Sequence, residues 1–183
     1  MLRRRSSGVL MHVTSLPAKY GVGDFGPEAY RFADFLKAAS QNYWQMLPLN
    51  HTTARTGYSP YNCFSAFAGN PLLISPDLLC EDGLLRKAEL SAVPAFPAER
   101  ADFDKTVAYK DGLFDAAFAR FKARPAPADY EGFVQDHQAW LAPFSLFFAL
   151  RRRFKTRSWS DWPSALRDRK AGALEAAGDE LRE

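Results

Sequence analysis

Hydrophobic and polar positions follow two different periods in the first fifty residues. Residues 9–13 form a short apolar run rich in β-branched side chains, bounded by Ser-Gly and by a Pro-containing loop, which predicts a buried strand. Apolar residues recur every three or four positions over residues 32–39, which predicts a helix with one apolar face. Pro27 suits the start of that helix, because its missing N–H costs nothing there. Residues 43–49 predict a second buried strand.

Strand, helix and strand in this order indicate an α/β fold with a parallel crossover connection. A weaker apolar run at residues 72–74 predicts a third strand. A closed barrel of eight strands and eight helices needs about 250 residues, so this chain of 183 residues does not supply one by itself.

After Pro76 the pattern becomes helical and aromatic. One predicted helical face carries Phe103, Val107, Phe114, Phe118 and Phe121. A second carries Tyr130, Phe133, His137, Trp140 and Leu141. We interpret both stripes as core. Pro143 predicts a kink or a restart of the second helix, because it lacks the N–H for an interior bond. Pro163 predicts the start of a last helix that runs to the end of the chain at Glu183.

Composition narrows the class of protein. Hydrophobic residues make up 47% of the chain, enough for a core, and a net charge of +3 is too small to indicate nucleic-acid binding. No run approaches the roughly 20 apolar residues of a membrane span, and the start lacks the apolar stretch of a signal peptide. Cys63 and Cys80 are the only cysteines and form no CxxC or Cys/His cluster, so we expect no metal site, reduced thiols and a cytoplasmic location.

The loop of residues 59–71 is the strongest candidate for binding. It is rich in small polar and aromatic residues and follows the second predicted strand, and loops of this kind often carry function. Aromatic rings with hydroxyl and amide groups suit a sugar, which offers flat apolar faces and many hydrogen-bonding groups. An ordinary irregular connection is the alternative.

Four blocks of sequence carry a resemblance to a known family: residues 7–17, 20–32, 43–49 and 59–71. In this order they resemble the amino-terminal part of the amylomaltases, the 4-α-glucanotransferases of glycoside hydrolase family 77. The resemblance continues more weakly to the end of the chain. Members of that family are more than twice as long, so the chain resembles their first third, and its predicted end inside a helix favours a truncated chain.

The resemblance implies a fold and an activity. Residues 1–76 would be the βαβ opening of a TIM-type (β/α)8 barrel with a sugar-binding loop, and residues 77–183 a mainly helical inserted region. The family transfers α-1,4-glucan segments with retention and without a cofactor. Retention needs two carboxylates about 5–5.5 Å apart. In the family they lie beyond the part that this chain matches, so no catalytic residue is assigned here, and the remainder of the parent chain is an expected partner.

The resemblance assigns two substrate-binding residues, Ser59 and Tyr61. Tyr61 would flank a glucose ring, Ser59 would hydrogen-bond the sugar, and Pro60 would shape the turn between them. The chain departs from the family at Gly57-Tyr58, where many members have Gly-Asp or Gly-Asn, and at Ala142-Pro143, where many have two acids.

Three nearby positions have structural interpretations. We interpret His12 as a satisfied core histidine, although it ends the first predicted strand, where barrel loops build the site. Asp24 could cap the helix that starts at Pro27 or support the loop, and we prefer the cap. Asn70-Pro71 is interpreted as a turn-forming pair. Two other functions stay open: a glucan-binding module in which Tyr58 and Tyr61 form a stacking platform, and a non-catalytic structural fragment that pairs through its sheet edges.

Overall fold

The structure is a computed structural model and describes residues 5–155 and 158–182. Its contacts separate two compact units, Met1–Ala126 and Pro127–Glu183. The boundary predicted at residue 76 concerns a barrel part and an inserted part of a longer protein, and it stays a prediction.

Among its described residues, the first unit contains two strands and three α-helices: β1 (Gly8–Leu10), α1 (Pro27–Ala38), β2 (Tyr43–Gln45), α2 (Pro76–Glu81) and α3 (Phe103–Lys122). Short 3-10 turns occur at Val13–Ser15, Ala54–Thr56, Pro71–Leu73 and Lys87–Leu90. The second unit contains α4 (Ala128–Arg153), a 3-10 turn at Trp159–Asp161, α5 (Ser164–Arg167) and α6 (Ala171–Glu180).

The predicted parallel pairing is confirmed. β1 and β2 form a parallel two-stranded sheet in which Val9 lies opposite Trp44, and α1 connects the two strands. Each strand has three residues, fewer than predicted, and only the middle residue of each is partly buried. The prediction of buried strands is therefore wrong, because the side chains of two such short strands are covered only where α1 and the following loops pack against them.

The main core of the first unit lies where α1 meets the sheet and the loops that follow it. Val13, Leu16, Ala29 and Leu73 are buried there, and Phe32 and Trp44 pack against them. The rings of Phe32 and Trp44 meet edge to face at 4.8 Å, a favourable geometry for an aromatic pair. A second cluster, around Leu85, Leu90, Leu113 and Ala117, holds α3 against the segment after α2.

The prediction of a third strand at residues 72–74 is wrong. Residues Pro71–Leu73 form a 3-10 turn, and the backbone N–H of Leu72 donates to the Asn70 side chain. Pro71 lacks an N–H and has a fixed φ, which suits the first position of a helical turn and does not suit a strand ladder.

The predicted aromatic face of α3 is core only in part, since four of its five residues are half-buried and none is fully buried. The buried positions are Thr106, Lys110, Leu113 and Ala117, while Phe118 is 50% exposed. Both sets repeat at helical spacing and lie on neighbouring faces of the same helix. Periodicity therefore allows either set to face inwards, and packing against the loops of the first unit selects the one with the smaller side chains.

In the second unit, α4 continues through Pro143, so the predicted restart of the helix is wrong, while the predicted kink stays a prediction. Pro143 and Ala139, whose carbonyl loses its helical partner there, are both exposed, so water can bond that carbonyl. The aromatic stripe of α4 is core only in part. Leu150 is buried with Trp162 and Ala177, but Phe133 is 46% exposed.

The single last helix predicted from Pro163 is two helices. α5 ends at Arg167, Arg169 takes a left-handed φ of 55°, and α6 begins at Ala171 and ends at Glu180. A left-handed residue cannot continue a right-handed helix, so it separates the two. The predicted end at Glu183 lies outside the described residues.

Candidate functional site

The loop after β2 is closed at its base by backbone hydrogen bonds. Asn50 and Gly69 form an isolated antiparallel bridge, the N–H of His51 donates to the carbonyl of Ala68 at 3.1 Å, and the N–H of Asn70 donates to the carbonyl of Leu49 at 2.9 Å. The loop therefore leaves and returns at one place, as compact surface loops do.

Asn70 explains the rigid return of this loop. Its Oδ1 accepts from the N–H of Leu72 at 3.1 Å, and its Nδ2 donates to Oγ1 of Thr52 at 3.0 Å. The side chain is buried and uses both of its polar ends. The interpretation of Asn70-Pro71 as a turn-forming pair is confirmed.

Ser59 and Tyr61 lie on one turn at the outer part of the loop. Oγ of Ser59 accepts from the N–H of Tyr61 at 3.3 Å. Ser59 is half-buried, and Tyr61 is 73% exposed. The structure thus brings the two predicted binding residues together and leaves the Tyr61 ring accessible to a ligand, while their role in binding stays a prediction.

Tyr58, the other member of the predicted stacking platform, packs against α3. Its ring stacks on Phe103 with centroids 4.8 Å apart and planes inclined by 17°, and its hydroxyl donates to Oδ1 of Asp104 at 2.6 Å. Burial, and then the hydrogen bond to Asp104, raise the pKa of Tyr58 to about 12. One face of the Tyr58 ring is therefore occupied by α3.

A buried lysine that was not predicted from the sequence bonds the segment in which the loop ends. Lys110 of α3 is 0% exposed, and its Nζ donates to Oδ2 of Asp24 at 2.9 Å, to the carbonyl of Leu72 at 2.8 Å and to the carbonyl of Ile74 at 3.0 Å. Burial lowers the pKa of Lys110 and raises that of Asp24, and the opposite charge of each partner counteracts the shift. Lys110 lies three and seven residues before Leu113 and Ala117 on the same face of α3, and this helical spacing is the signal from which its burial could have been predicted.

Asp24 is not the helix cap that the sequence predicted. Gly26 occupies the cap position of α1, and Oδ1 of Asp24 accepts from the N–H of Gly26 at 3.0 Å. Asp24 instead joins the loop before α1 to Lys110, because its second oxygen is directed at α3.

His12 follows β1 and is half-buried. Burial lowers the pKa of its imidazole. Its Nδ1 is buried and has no hydrogen-bond partner among the described residues, so the interpretation as a satisfied core histidine is wrong.

Two clefts border the segments that follow the strands. One, of about 590 Å³, is formed by residues 46–50 after β2 and residues 66–69 of the loop. The other, of about 660 Å³, lies between residues 14–21 after β1 and residues 96–101. Neither cleft is lined by Ser59 or Tyr61, so the turn that carries these two residues lies outside both clefts.

The described part of the chain contains no group of three or more His, Cys, Asp or Glu side chains placed to hold a metal ion. Cys63 and Cys80 are free thiols. Among the described helices, none combines the length and apolar character that crossing a bilayer requires. The cytoplasmic location stays a prediction.

Comparison with known proteins identifies the family. The family model described as 4-alpha-glucanotransferase, of glycoside hydrolase family 77, matches residues 11–183. The chain belongs to the 4-alpha-glucanotransferase family. The resemblance seen in the sequence is thereby confirmed.

Individual members of the 4-alpha-glucanotransferase family match nearly the whole chain. The 4-alpha-glucanotransferase of Streptococcus pneumoniae is 43% identical over 182 residues, which are 98% of this chain and 36% of that protein. The enzyme of Thermus thermophilus is 42% identical over 98% of this chain and 35% of its own length. The chloroplastic/amyloplastic enzyme of Solanum tuberosum is 38% identical over 94% and 31%.

A solved structure of an amylomaltase matches the fold. The amylomaltase from Streptococcus agalactiae, in complex with acarbose, superposes with a TM-score of 0.90 and 35% identity over 97% of this chain and 36% of that chain. The present chain therefore spans about a third of the length of the 4-alpha-glucanotransferases that it matches.

Proposed function

We propose that this protein is the amino-terminal part of a 4-alpha-glucanotransferase that moves α-1,4-glucan segments between maltodextrins. One observation carries the proposal: 98% of the chain aligns at 43% identity with about a third of a named 4-alpha-glucanotransferase. The other two thirds of the enzyme would be supplied by the remainder of the parent chain.

Ser59 and Tyr61 form part of the sugar site in this proposal. The hydroxyl of Ser59 accepts from the N–H of Tyr61, so its own hydrogen stays available to donate to a sugar oxygen. Tyr61 is 73% exposed and offers a flat ring face together with a hydroxyl, which suits a glucose unit. Acarbose in the related amylomaltase supports a carbohydrate ligand.

The catalytic carboxylates are proposed to lie outside this chain. A retaining transfer needs one carboxylate to attack the anomeric carbon and another to protonate the leaving oxygen and later deprotonate the acceptor hydroxyl. The resemblance assigns neither role to an Asp or Glu of this chain. Transfer between two sugar oxygens involves no redox change, so the proposed reaction needs no redox cofactor.

The unit β1–α1–β2 is proposed to open a (β/α)8 barrel, and residues 77–183 to form an inserted helical region. Parallel pairing with a helical connection supports the first part. The loop of Ser59 and Tyr61 follows β2, and barrel enzymes build their sites from the segments after the carboxyl ends of strands.

A chimera tests the proposal. This chain would replace the matching third of the Streptococcus pneumoniae relative, and maltotriose would be followed for conversion to glucose and longer oligomers. We expect activity, a loss of at least tenfold in Tyr61→Ala, and near-normal activity in Tyr30→Ala, a matched change at an exposed tyrosine of α1. A folded chimera without activity would contradict the assignment.

A glucan-binding role without catalysis is the second candidate, and the exposure of Tyr61 favours it. Incubation of the chain alone with maltotriose tests whether the chain catalyses transfer by itself. We expect no sustained release of glucose by the pure chain, because the carboxylate pair is absent from its assigned residues. Turnover in a preparation free of host enzyme would overturn this expectation. Titration with maltoheptaose in a calorimeter measures binding independently.

A further inference from the structure

The turn that carries Ser59 and Tyr61 is preceded by two left-handed residues. Gly57 has a φ of 60° and Tyr58 a φ of 55°. For glycine this conformation is free of steric cost, but in a tyrosine it brings Cβ close to the following carbonyl oxygen and is unfavourable. Such a conformation persists where surrounding contacts hold it.

Tyr58 makes contacts that are suited to hold it. Its ring lies on Phe103, and its hydroxyl donates at 2.6 Å to Asp104, which is 46 residues further along the chain in the first turn of α3. The acceptor is a charged carboxylate, which makes this a stronger hydrogen bond than one between neutral groups. The backbone immediately before Ser59 is thereby tied to a long helix.

The turn itself has mainly local bonds. The N–H of Tyr58 donates to the carbonyl of Thr53, that of Ser59 to the carbonyl of Thr56, and that of Asn62 to the carbonyl of Ser59. These bonds shape the turn but join it only to residues of the same loop. The direction in which Tyr61 projects therefore depends on the contact between Tyr58 and α3.

We propose that Tyr58 is a positioning residue that holds the Ser59–Tyr61 turn against α3 through its hydrogen bond to Asp104. The significance for glucan binding rests on the proposed function of Ser59 and Tyr61. It also gives a role to the departure at Gly57-Tyr58: a tyrosine that reaches α3 stands where many family members carry a short polar side chain.

Amide hydrogen exchange on the whole 183-residue chain tests the proposal without any ligand. In Tyr58→Phe the stack stays and the hydroxyl is lost, so we expect the amides of Tyr58, Ser59 and Asn62 to exchange about fivefold faster, the ratio expected for one hydrogen bond. Amides in α1 should be unchanged. Tyr30→Phe, the same chemical change at an exposed tyrosine, should alter none of them.

Changes at Asp104 separate the direct contact from a general loss of stability. Asp104→Ala should accelerate the same amides, while Asp104→Asn, which keeps an oxygen acceptor, should restore most of the protection. The double variant Tyr58→Phe/Asp104→Ala should exchange no faster than either single variant, because both remove one interaction. Equal protection in the wild type and in Tyr58→Phe, or additive effects in the double variant, would overturn the proposal.

Calorimetry with maltoheptaose tests whether Tyr58 contributes to glucan binding. If the wild type binds, we expect about fivefold weaker binding by Tyr58→Phe and unchanged binding by Tyr30→Phe; unchanged binding by Tyr58→Phe would overturn the role in glucan binding. If the wild type binds no maltoheptaose, that result counts against sugar binding by the Ser59–Tyr61 turn in this chain, and the exchange measurements still decide whether Tyr58 positions the turn.

Discussion

Nζ of Lys110 lies 2.9 Å from Oδ2 of Asp24, and the two residues are 86 positions apart in the sequence. The pair joins α3 to the loop before α1, and the same ammonium group bonds the carbonyls of Leu72 and Ile74. Three segments of the first unit thus meet at one buried charge. The returning end of the loop that carries Ser59 and Tyr61 is one of them.

Removing that charge is expected to destabilise the first unit strongly. Lys110→Met leaves Asp24 as a buried carboxylate without its cation, and breaking a buried pair in this way costs about 3–5 kcal/mol. Urea unfolding measures the loss, and Lys37→Met, on the exposed side of α1, should change stability by less than about 0.5 kcal/mol. Equal effects of the two substitutions would contradict the importance of the pair.

Asn70 should divide its contribution between two bonds. Asn70→Ala removes the cap of the 3-10 turn and the partner of Thr52, for an expected loss of about 1–3 kcal/mol. Thr52→Val removes only the acceptor of the Asn70 amide and keeps the bond to Leu72, so its loss should be smaller. Thermal unfolding of both variants, at one pH, gives the comparison. If Thr52→Val were as damaging as Asn70→Ala, the bond to Leu72 would contribute little.

Alkaline pH should remove the stabilisation that the Tyr58 hydroxyl gives to the fold. Its folded pKa of about 12 exceeds the ordinary value of 10.0, so the folded state binds the phenolic proton more tightly than the unfolded state. The stabilisation is present in full below about pH 10 and is lost as the pH rises towards 12. The negative charges of Asp104, Asp102 and Asp111 act in the same direction.

The difference between wild type and Tyr58→Phe isolates this effect. Tyr20 and Tyr109 also have raised pKa values and titrate in both proteins. Urea unfolding at several pH values should therefore give a stability difference that shrinks between pH 10 and pH 12. A difference that stayed constant over this range would show that the hydroxyl does not stabilise the fold through its proton.

The open sheet predicts self-association of the chain. Leu10 of β1 is 60% exposed, and a two-stranded sheet presents unpaired backbone groups at both edges. Sedimentation should therefore depend on concentration, and Leu10→Lys should reduce association, because an edge charge opposes strand pairing. The matched change Tyr30→Lys, on α1, should have less effect. A wild-type chain that sedimented as a compact monomer at all concentrations would oppose this prediction.

Features that depend on near neighbours in the chain were predictable. The start of α1 at Pro27, the turn at Asn70-Pro71 and the strand–helix–strand order each follow from residues a few positions apart, and the family followed from blocks of such residues. The predictions that failed wholly or in part concern segments that fit more than one local pattern. The Phe stripe of α3 has helical spacing, but tertiary packing buries a neighbouring face of that helix. The apolar run at residues 72–74 fits a strand, but Pro71 and the Asn70 side chain favour a 3-10 turn.

The sequence by itself determined the family, the parallel βαβ order and the loop that holds Ser59 and Tyr61. Only the tertiary structure decided that Lys110 neutralises Asp24 and that Tyr58 reaches Asp104. The physical reason is that a charge or a hydroxyl has many chemically acceptable partners in a chain of 183 residues. Which one it meets depends on how the helices and loops pack, because burial makes an unpaired polar group costly and so selects the arrangement that pairs it.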